Sequence, residues 1–245
     1  MKDRPFTVNE YHNDLVAKNC PRNGHFKLRN KLTLDLLSIV GLRPKELCLI
    51  APVHFMCPKG SLSEFLLVDE SISFNGVERP LVLSDNEVKK SLINYLKWMV
   101  KFSINSTPSK SFLGINPIKP ILVNDNYKNF EFQSRGKKKS DDTKLVPQKM
   151  NEYINSLIVK SGLDKDNVGL NSFHRTWVIN AYRAEYDVKT IAIMAGLSKE
   201  TVLNYLAYDS QQYNDIVNWF KDRRKKKAKL LESRMKRRKF ELNLD

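Results

Sequence analysis

The residue types most able to do chemistry in this sequence are cations, and they are concentrated in two short segments. Residues 221–240 contain twelve Lys or Arg against two acids, which supplies +10 of the net charge of +15. A second cluster, SRGKKK, covers residues 134–139. Basic runs of this kind attract polyanions, and they bind nucleic acid phosphates by releasing condensed counterions. The pattern therefore favours a nucleic acid partner, with a solvated tail as the plainer alternative.

The cationic clusters indicate which side chains would contact phosphate. A membrane surface is a weaker explanation, because Leu230, Leu231 and Met235 form only a thin apolar stripe in the basic run. Our predicted DNA-binding residues are Arg79, Lys137, Lys138, Lys139, Arg223, Arg224, Lys225, Lys226, Lys227, Lys236, Arg237 and Arg238.

Composition excludes several other classes of protein. The chain of 245 residues is 41% hydrophobic and 28% charged, which is typical of a folded domain and not of a disordered one. No apolar run is long enough to span a membrane. The four histidines lie far apart and the three cysteines lack ligand spacing, so we expect no metal and no cofactor. Cysteine usage predicts a reduced, intracellular location, either cytoplasmic or nucleoid-associated.

The elements that must position any site are mostly helices. Apolar residues recur at helical spacing along most of the chain, and Asp85, Asp187 and Ser198 stand where N-caps are expected. Gly41, like other glycines, marks a helix end. The predicted helices cover residues 7–18, 28–40, 45–50, 85–100, 147–162, 171–185, 187–196 and 198–207, with a last helix running from about 211 into the basic tail.

One hairpin interrupts the helices. Residues 65–74 favour a strand, Asn75 and Gly76 form a turn signal, and residues 80–83 form the return strand, with Pro80 at an edge. Residues 127–144 are predicted to be an exposed loop. The expected fold class is mainly α with one small antiparallel β-sheet (α+β). We expect residues 1–220 to form one domain and residues 221–245 a basic helical arm.

The order of the motifs resembles the catalytic domain of the tyrosine recombinase/phage integrase family. Residues 28–50, LRNKLTLDLLSIVGLRPKELCLI, resemble its first signature, in which a helix runs into G-L-R-x-x-E-L. The hairpin contains a G-x-x-R-x-x-x-L pattern at residues 76–83, and residues 171–208 resemble the stretch that ends in the nucleophile helix. The resemblance covers roughly residues 4–220. Because it begins so near residue 1, we expect the family's N-terminal DNA-clamp domain to be absent.

The resemblance implies transfer of a phosphodiester to a tyrosine. Two guanidiniums hold the scissile phosphate, Lys and His groups move protons, and the tyrosine hydroxyl is the nucleophile. Arg43 matches the first arginine, although a structural role at the turn is its alternative. Tyr205 matches the nucleophile, with Tyr208 as second choice and core packing as the alternative for either.

Several matched positions carry residues that cannot do this chemistry. Phe74 stands at the lysine position, Asn171 at the histidine of the H-x-x-R box, and Leu197 at the later histidine. His174 occupies the second arginine position, and with an ordinary pKa near 6.5 it should gain charge as the pH falls toward about 6. Arg175 is adjacent but should point about 100° away on a helix.

We therefore expect a DNA-binding, tyrosine recombinase-like protein with impaired catalysis, acting in DNA recombination or in integration of a mobile element. One alternative is an active recombinase that uses Arg43, His174, Arg175 and Tyr205. Another is a scaffold that binds RNA or protein. The expected partner is duplex DNA, with self-association or a partner recombinase through the basic arm left open, and with no membrane partner.

Overall fold

A computed structural model of the chain describes residues 3–22, 24, 26–135 and 144–212. Much of the predicted basic surface, together with the boundary between the domain and its arm, lies outside these residues and stays a prediction. The predicted DNA-binding residues outside the described ranges are Lys137, Lys138, Lys139, Arg223, Arg224, Lys225, Lys226, Lys227, Lys236, Arg237 and Arg238.

Eight α- or π-helices account for about half of the described residues. The first, α1, has π-helical turns over Glu10–Val16 and α-helical ones over Ala17–Asn19, and α2 is α-helical over Lys27–Asp35 and π-helical over Leu36–Val40. The remaining helices are α3 (Pro44–Leu49), α4 (Asn86–Lys101), α5 (Gln148–Ser161), α6 (Leu170–Arg183), α7 (Val188–Ala195) and α8 (Lys199–Gln212). Predicted and observed bounds agree closely, except that α8 continues through Gln212 where a break was expected.

Local sequence explains where these helices begin and end. The Asp85 carboxylate accepts hydrogen bonds from the backbone N–H groups of Glu87 (2.9 Å) and Val88 (3.0 Å), which makes it the N-cap of α4. Gly41 ends α2 with a φ of +89°, a left-handed conformation that favours glycine. The chain thus turns sharply just before Arg43.

The predicted hairpin is present but shorter than expected. Strand β1 (Phe65–Val68) pairs antiparallel with β2 (Arg79–Val82), and Phe65 lies opposite Val82. The prediction that the first strand reaches residue 74 is wrong. Asp69 ends it, because its carboxylate accepts hydrogen bonds from the backbone N–H groups of Ser71 (2.9 Å) and Ile72 (3.2 Å).

A second antiparallel pair joins β3 (Gln133–Arg135) to β4 (Lys144–Val146). Strand β3 lies inside the predicted loop of residues 127–144, and β4 begins at the last residue of that loop. The described residues therefore contain two small two-stranded sheets and not one. The sequence missed this pair because QSR and KLV lack the alternating apolar pattern of a half-buried strand.

The core brings the later helices against the turn that follows α2. The first part of α2 packs against α4, its π-helical part packs against α6, and α7 contacts both α6 and α8. A Cβ on Gly41 would lie 2.7 Å from the ring of Trp177 on α6, so the two segments are in close contact. None of the helices within the described ranges combines the length and apolarity needed to cross a lipid bilayer.

Candidate functional site

Arg43 lies at the start of α3, directly after the Gly41 turn. Its backbone N–H donates to Glu46 Oε2 (2.7 Å), so the backbone and Glu46 complete the cap and the Arg43 side chain does not. The guanidinium lies 4.8 Å from the centroid of the Phe74 ring, and its Nε is buried with no hydrogen-bond partner among the described residues. Burial lowers the pKa of Arg43 to about 10, opposed by Tyr205, so the group stays charged at neutral pH.

A buried ion pair holds this turn in place. Arg79 is 1% exposed and Glu46 is 0% exposed, and Arg79 Nη2 lies 2.5 Å from Glu46 Oε2. Arg79 also donates to the backbone carbonyls of Met194 and Gly41, so one guanidinium links β2, the end of α7 and the turn before α3. This enclosed position does not support the predicted contact between Arg79 and DNA.

Phe74 fills the space where the family resemblance expects a lysine. Its ring lies near both the Arg43 and Arg79 guanidiniums, at 4.8 and 5.8 Å, an arrangement that attracts cations electrostatically to the aromatic face. A Cβ on Gly196 would lie 2.9 Å from this ring, so the loop after β1 contacts the turn between α7 and α8. Leu197, next in that turn, packs against the apolar core.

His174 is buried next to Arg43 and carries no charge. It is 3% exposed, its ring stacks on Trp177 at 5.9 Å and 16°, and neither ring nitrogen has a hydrogen-bond partner among the described residues. Burial, with Arg43 and Arg79, holds the pKa of His174 well below 6.5. The expectation that a pH of about 6 would charge His174 is therefore wrong.

Arg175, on α6, connects α8 with the start of the chain. Its guanidinium lies 5.0 Å from the centroid of the Tyr205 ring, and its Nη1 donates to the Asp3 carbonyl at 2.9 Å. Asn171 is exposed and its side-chain amide donates to Asp3 Oδ2 at 3.2 Å. Arg175 thus faces Tyr205, although its one-residue offset predicted that it would point away from the site.

The structure brings most of the predicted catalytic residues together. Arg43 and Tyr205 are close enough for Tyr205 to influence the pKa of Arg43, and Arg175 covers the Tyr205 ring. Tyr208 lies three residues further along α8. Sequence reasoning missed the structural role of Glu46, for which the E of G-L-R-x-x-E-L, at the third position of α3, was a usable signal. Helical spacing does predict that Trp177 faces inward, as its burial confirms, but nothing local marks its contact with Gly41.

Comparisons with known proteins identify the fold. No known family description matches the sequence, and no curated protein matches it. Among solved structures, the XerA recombinase is similar at 17% identity with a TM-score of 0.57, covering 84% of this chain and 60% of its own. The XerH site-specific recombinase bound to palindromic difH substrate gives 12% identity and a TM-score of 0.55, covering 90% of this chain and 54% of its own.

A third example is the Tn1549 transposon integrase in complex with a circular intermediate DNA, with 13% identity, a TM-score of 0.51, and coverage of 84% of this chain and 62% of its own. The chain therefore spans between half and two thirds of the length of these structures. It has the fold of tyrosine recombinase catalytic domains, mostly helical with small antiparallel sheets, which confirms the predicted fold class.

Proposed function

We propose that this chain is a DNA-binding, tyrosine recombinase-like protein of the cell interior, with impaired catalysis, acting in DNA recombination or in integration of a mobile element. The fold supports the class of protein, and similar structures are described as bound to difH substrate or in complex with a circular intermediate DNA. The proposal that catalysis is impaired rests on one observation. The candidate site beside Arg43 contains a neutral, buried His174 where the family resemblance expects a second arginine.

The electrostatics of the candidate site argue against efficient strand cleavage. A phosphoryl transition state needs cations and proton donors aimed at the charge that develops. Phe74 and Leu197 have no proton to give, and burial keeps His174 uncharged. Removing one oriented donor typically costs about 10²–10³ in rate, and the combined loss is not a simple product.

The proposal is tested by covalent trapping on a suicide duplex. The full chain is incubated at about pH 6 and about pH 8, and a denaturing gel then separates any protein–DNA adduct. We expect no adduct at either pH, since His174 stays neutral at both. An adduct band that disappears with Tyr205→Phe would overturn the proposal that catalysis is impaired. A band lost only with Tyr208→Phe would place the nucleophile three residues further along α8.

A specific contact favours an active enzyme as the second candidate. Arg175 lies 5.0 Å from the Tyr205 ring, so it could replace the missing second arginine if it turns toward a phosphate bound at Arg43. Arg175→Gln is the informative variant, because the impaired protein has no cleavage to lose while an active one would lose its adduct. Lys45→Gln is the matched control. It also replaces a cation by Gln, but Lys45 Nζ donates to the Ser73 carbonyl at 2.7 Å and has no contact with Tyr205 among those of the described residues.

Duplex binding is proposed to depend on Lys137, Lys138, Lys139 and the basic run after residue 220. Each neutralised phosphate should contribute about 0.9 to the log–log salt slope for duplex DNA. A chain ending at Phe220 should bind more weakly and with a flatter slope, and an unchanged slope would refute a role for the arm. Stronger binding to RNA than to duplex DNA would instead favour the scaffold.

A further inference from the structure

Residues 3–6 cross the first turns of α6, and we call them the N-terminal strap. The backbone N–H of Arg4 donates to the carbonyl of Asn167, just before α6, at 2.8 Å. The backbone N–H of Phe6 donates to Thr176 Oγ1 on α6, also at 2.8 Å, and the Phe6 side chain is buried. The strap therefore has a defined position on this helix.

The carboxylate of Asp3, in this strap, lies against the N-terminus of α6. Gly169 is the N-cap of α6, and a Cβ on Gly169 would overlap Asp3 Oδ1, so only a residue without a side chain allows this approach. Asp3 Oδ2 accepts a hydrogen bond from the side-chain amide of Asn171 at 3.2 Å. Helix N-termini attract anions, because their N–H groups and the helix dipole present partial positive charge. A carboxylate of the chain itself thus occupies a position that favours an anion.

Asp3 also binds the cation that faces the candidate nucleophile. Arg175 Nη1 donates to the Asp3 carbonyl at 2.9 Å, while the Arg175 guanidinium lies 5.0 Å from the centroid of the Tyr205 ring. Asn171 and Arg175 are four residues apart on α6, so they lie on the same face of that helix. The side chain and the backbone of Asp3 therefore contact two residues of the candidate site at once.

The backbone of Asp3 has a conformation that these contacts must maintain. Its φ is +68°, in the left-handed region that residues with side chains seldom adopt. A residue stays in such a conformation only where the surrounding contacts hold it there. The contacts that hold Asp3 are those with Asn171 and Arg175. An anion that took over these two donors would let Asp3 relax and leave α6.

We propose that the Asp3 carboxylate competes with a phosphate of duplex DNA for the start of α6, and that it thereby weakens DNA binding at the candidate site. While Asp3 is in place, its negative charge repels a phosphate that approaches Arg175, and Arg175 stays bound to the strap. A phosphodiester that displaces Asp3 accepts the hydrogen bonds of Asn171 and Arg175 in its place. The inference rests on the proposed function, because the competing ligand is duplex DNA bound around Arg43, and it adds a regulation of that site by the chain itself.

The variant Gly169→Ala tests the competition without changing the charge of the chain. The new Cβ would meet only Asp3 among residues that are not its chain neighbours, and the extended Gly169 backbone, with a φ of −162°, accepts any residue. Fluorescence anisotropy measures binding of the full chain to a labelled duplex. Gly169→Ala should bind about fivefold more tightly, the effect of removing one repulsion between unit charges about 4 Å apart in water. The log–log salt slope should steepen by about 0.9, because one more phosphate is contacted.

Charge variants test the same contact from the other side. Asp3→Asn removes the negative charge without a clash, so it should also tighten duplex binding, and Gly169→Ala added to it should give little further gain. Arg175→Gln should weaken binding more in the Asp3→Asn chain than in wild type, because Asp3 no longer competes for Arg175. The matched control is Asp166→Asn, which removes an exposed carboxylate from the loop before α6 and should bind like wild type.

Two outcomes would overturn this inference alone. The first is duplex binding by Gly169→Ala and Asp3→Asn that is no tighter than that of wild type, and the second is an equal gain in Asp166→Asn, which would make net charge the cause. Urea titrations check that each variant is folded, and Asp3→Asn decides the result if Gly169→Ala is not. If neither the wild-type chain nor any variant binds duplex DNA, the proposed function fails together with this inference.

Discussion

Removing the Arg79 side chain should destabilise the protein strongly, because it leaves the buried Glu46 carboxylate without its cation. The pair is enclosed, with Arg79 at 1% and Glu46 at 0% exposure. Breaking such a pair by deleting one partner typically costs about 3–5 kcal/mol, because an uncompensated charge stays buried. Arg79→Leu keeps an apolar side chain of moderate size in the space and removes the charge.

The surrounding hydrogen bonds set where in that range the loss should fall. Glu46 would keep two backbone donors, the N–H groups of Arg43 (2.7 Å) and Phe74 (3.3 Å), which moderate the cost. The carbonyls of Met194 and Gly41 would lose their Arg79 donor, which adds to it. We expect a loss of about 4 kcal/mol, or roughly 8–16 °C in Tm for a domain of this size.

Chemical denaturation of the full chain measures the loss. The control is Lys89→Met, which breaks the Lys89–Glu64 pair (2.7 Å), where Glu64 is 67% exposed. An exposed pair contributes about 0–1 kcal/mol, so this variant should unfold close to wild type. Glu46→Leu added to Arg79→Leu should recover part of the stability, because no charge is then left buried. A loss below about 1 kcal/mol in Arg79→Leu alone would refute the reasoning.

Three further predictions concern stability. The pKa of His174 in the folded protein is well below 6.5, so below about pH 6.5 the unfolded chain binds a proton at His174 and the folded chain does not. The free energy of unfolding should therefore fall by up to about 1.4 kcal/mol for each unit by which the pH drops. Urea titrations should show a smaller decline for His174→Phe than for wild type. Gly41→Ala should cost more than about 1 kcal/mol, because the φ is +89° and the new Cβ would meet Trp177 at 2.7 Å; a Tm equal to wild type would contradict this. Asp85→Ala should cost about 0.5–2 kcal/mol in thermal unfolding through loss of the α4 cap, and Asp85→Asn should restore most of it.

The sequence predicted the helices well because their signals are local. Asp85 caps α4 and Gly41 ends α2 through bonds and dihedral angles that involve only a few neighbouring residues. The ordered motifs around Arg43 and Tyr205 then indicated the fold, which the structural similarities confirm. The sequence did not predict the β3–β4 pair, because these two short strands lack the alternation of apolar and polar residues that indicates a strand.

Distant contacts decided the environment of each candidate side chain, and no local pattern encodes them. The sequence predicted that Arg79 contacts DNA. In the structure Arg79 is enclosed, and it donates a hydrogen bond to the carbonyl of Met194, 115 residues away. The sequence predicted that Arg175 points away from the candidate site, but α8 places the Tyr205 ring 5.0 Å from its guanidinium. The sequence by itself predicted that His174 stands where the family resemblance expects an arginine. Only the packing of α6 against the Arg43 turn decided that His174 is uncharged, because burial and nearby cations, not residue type, set its pKa.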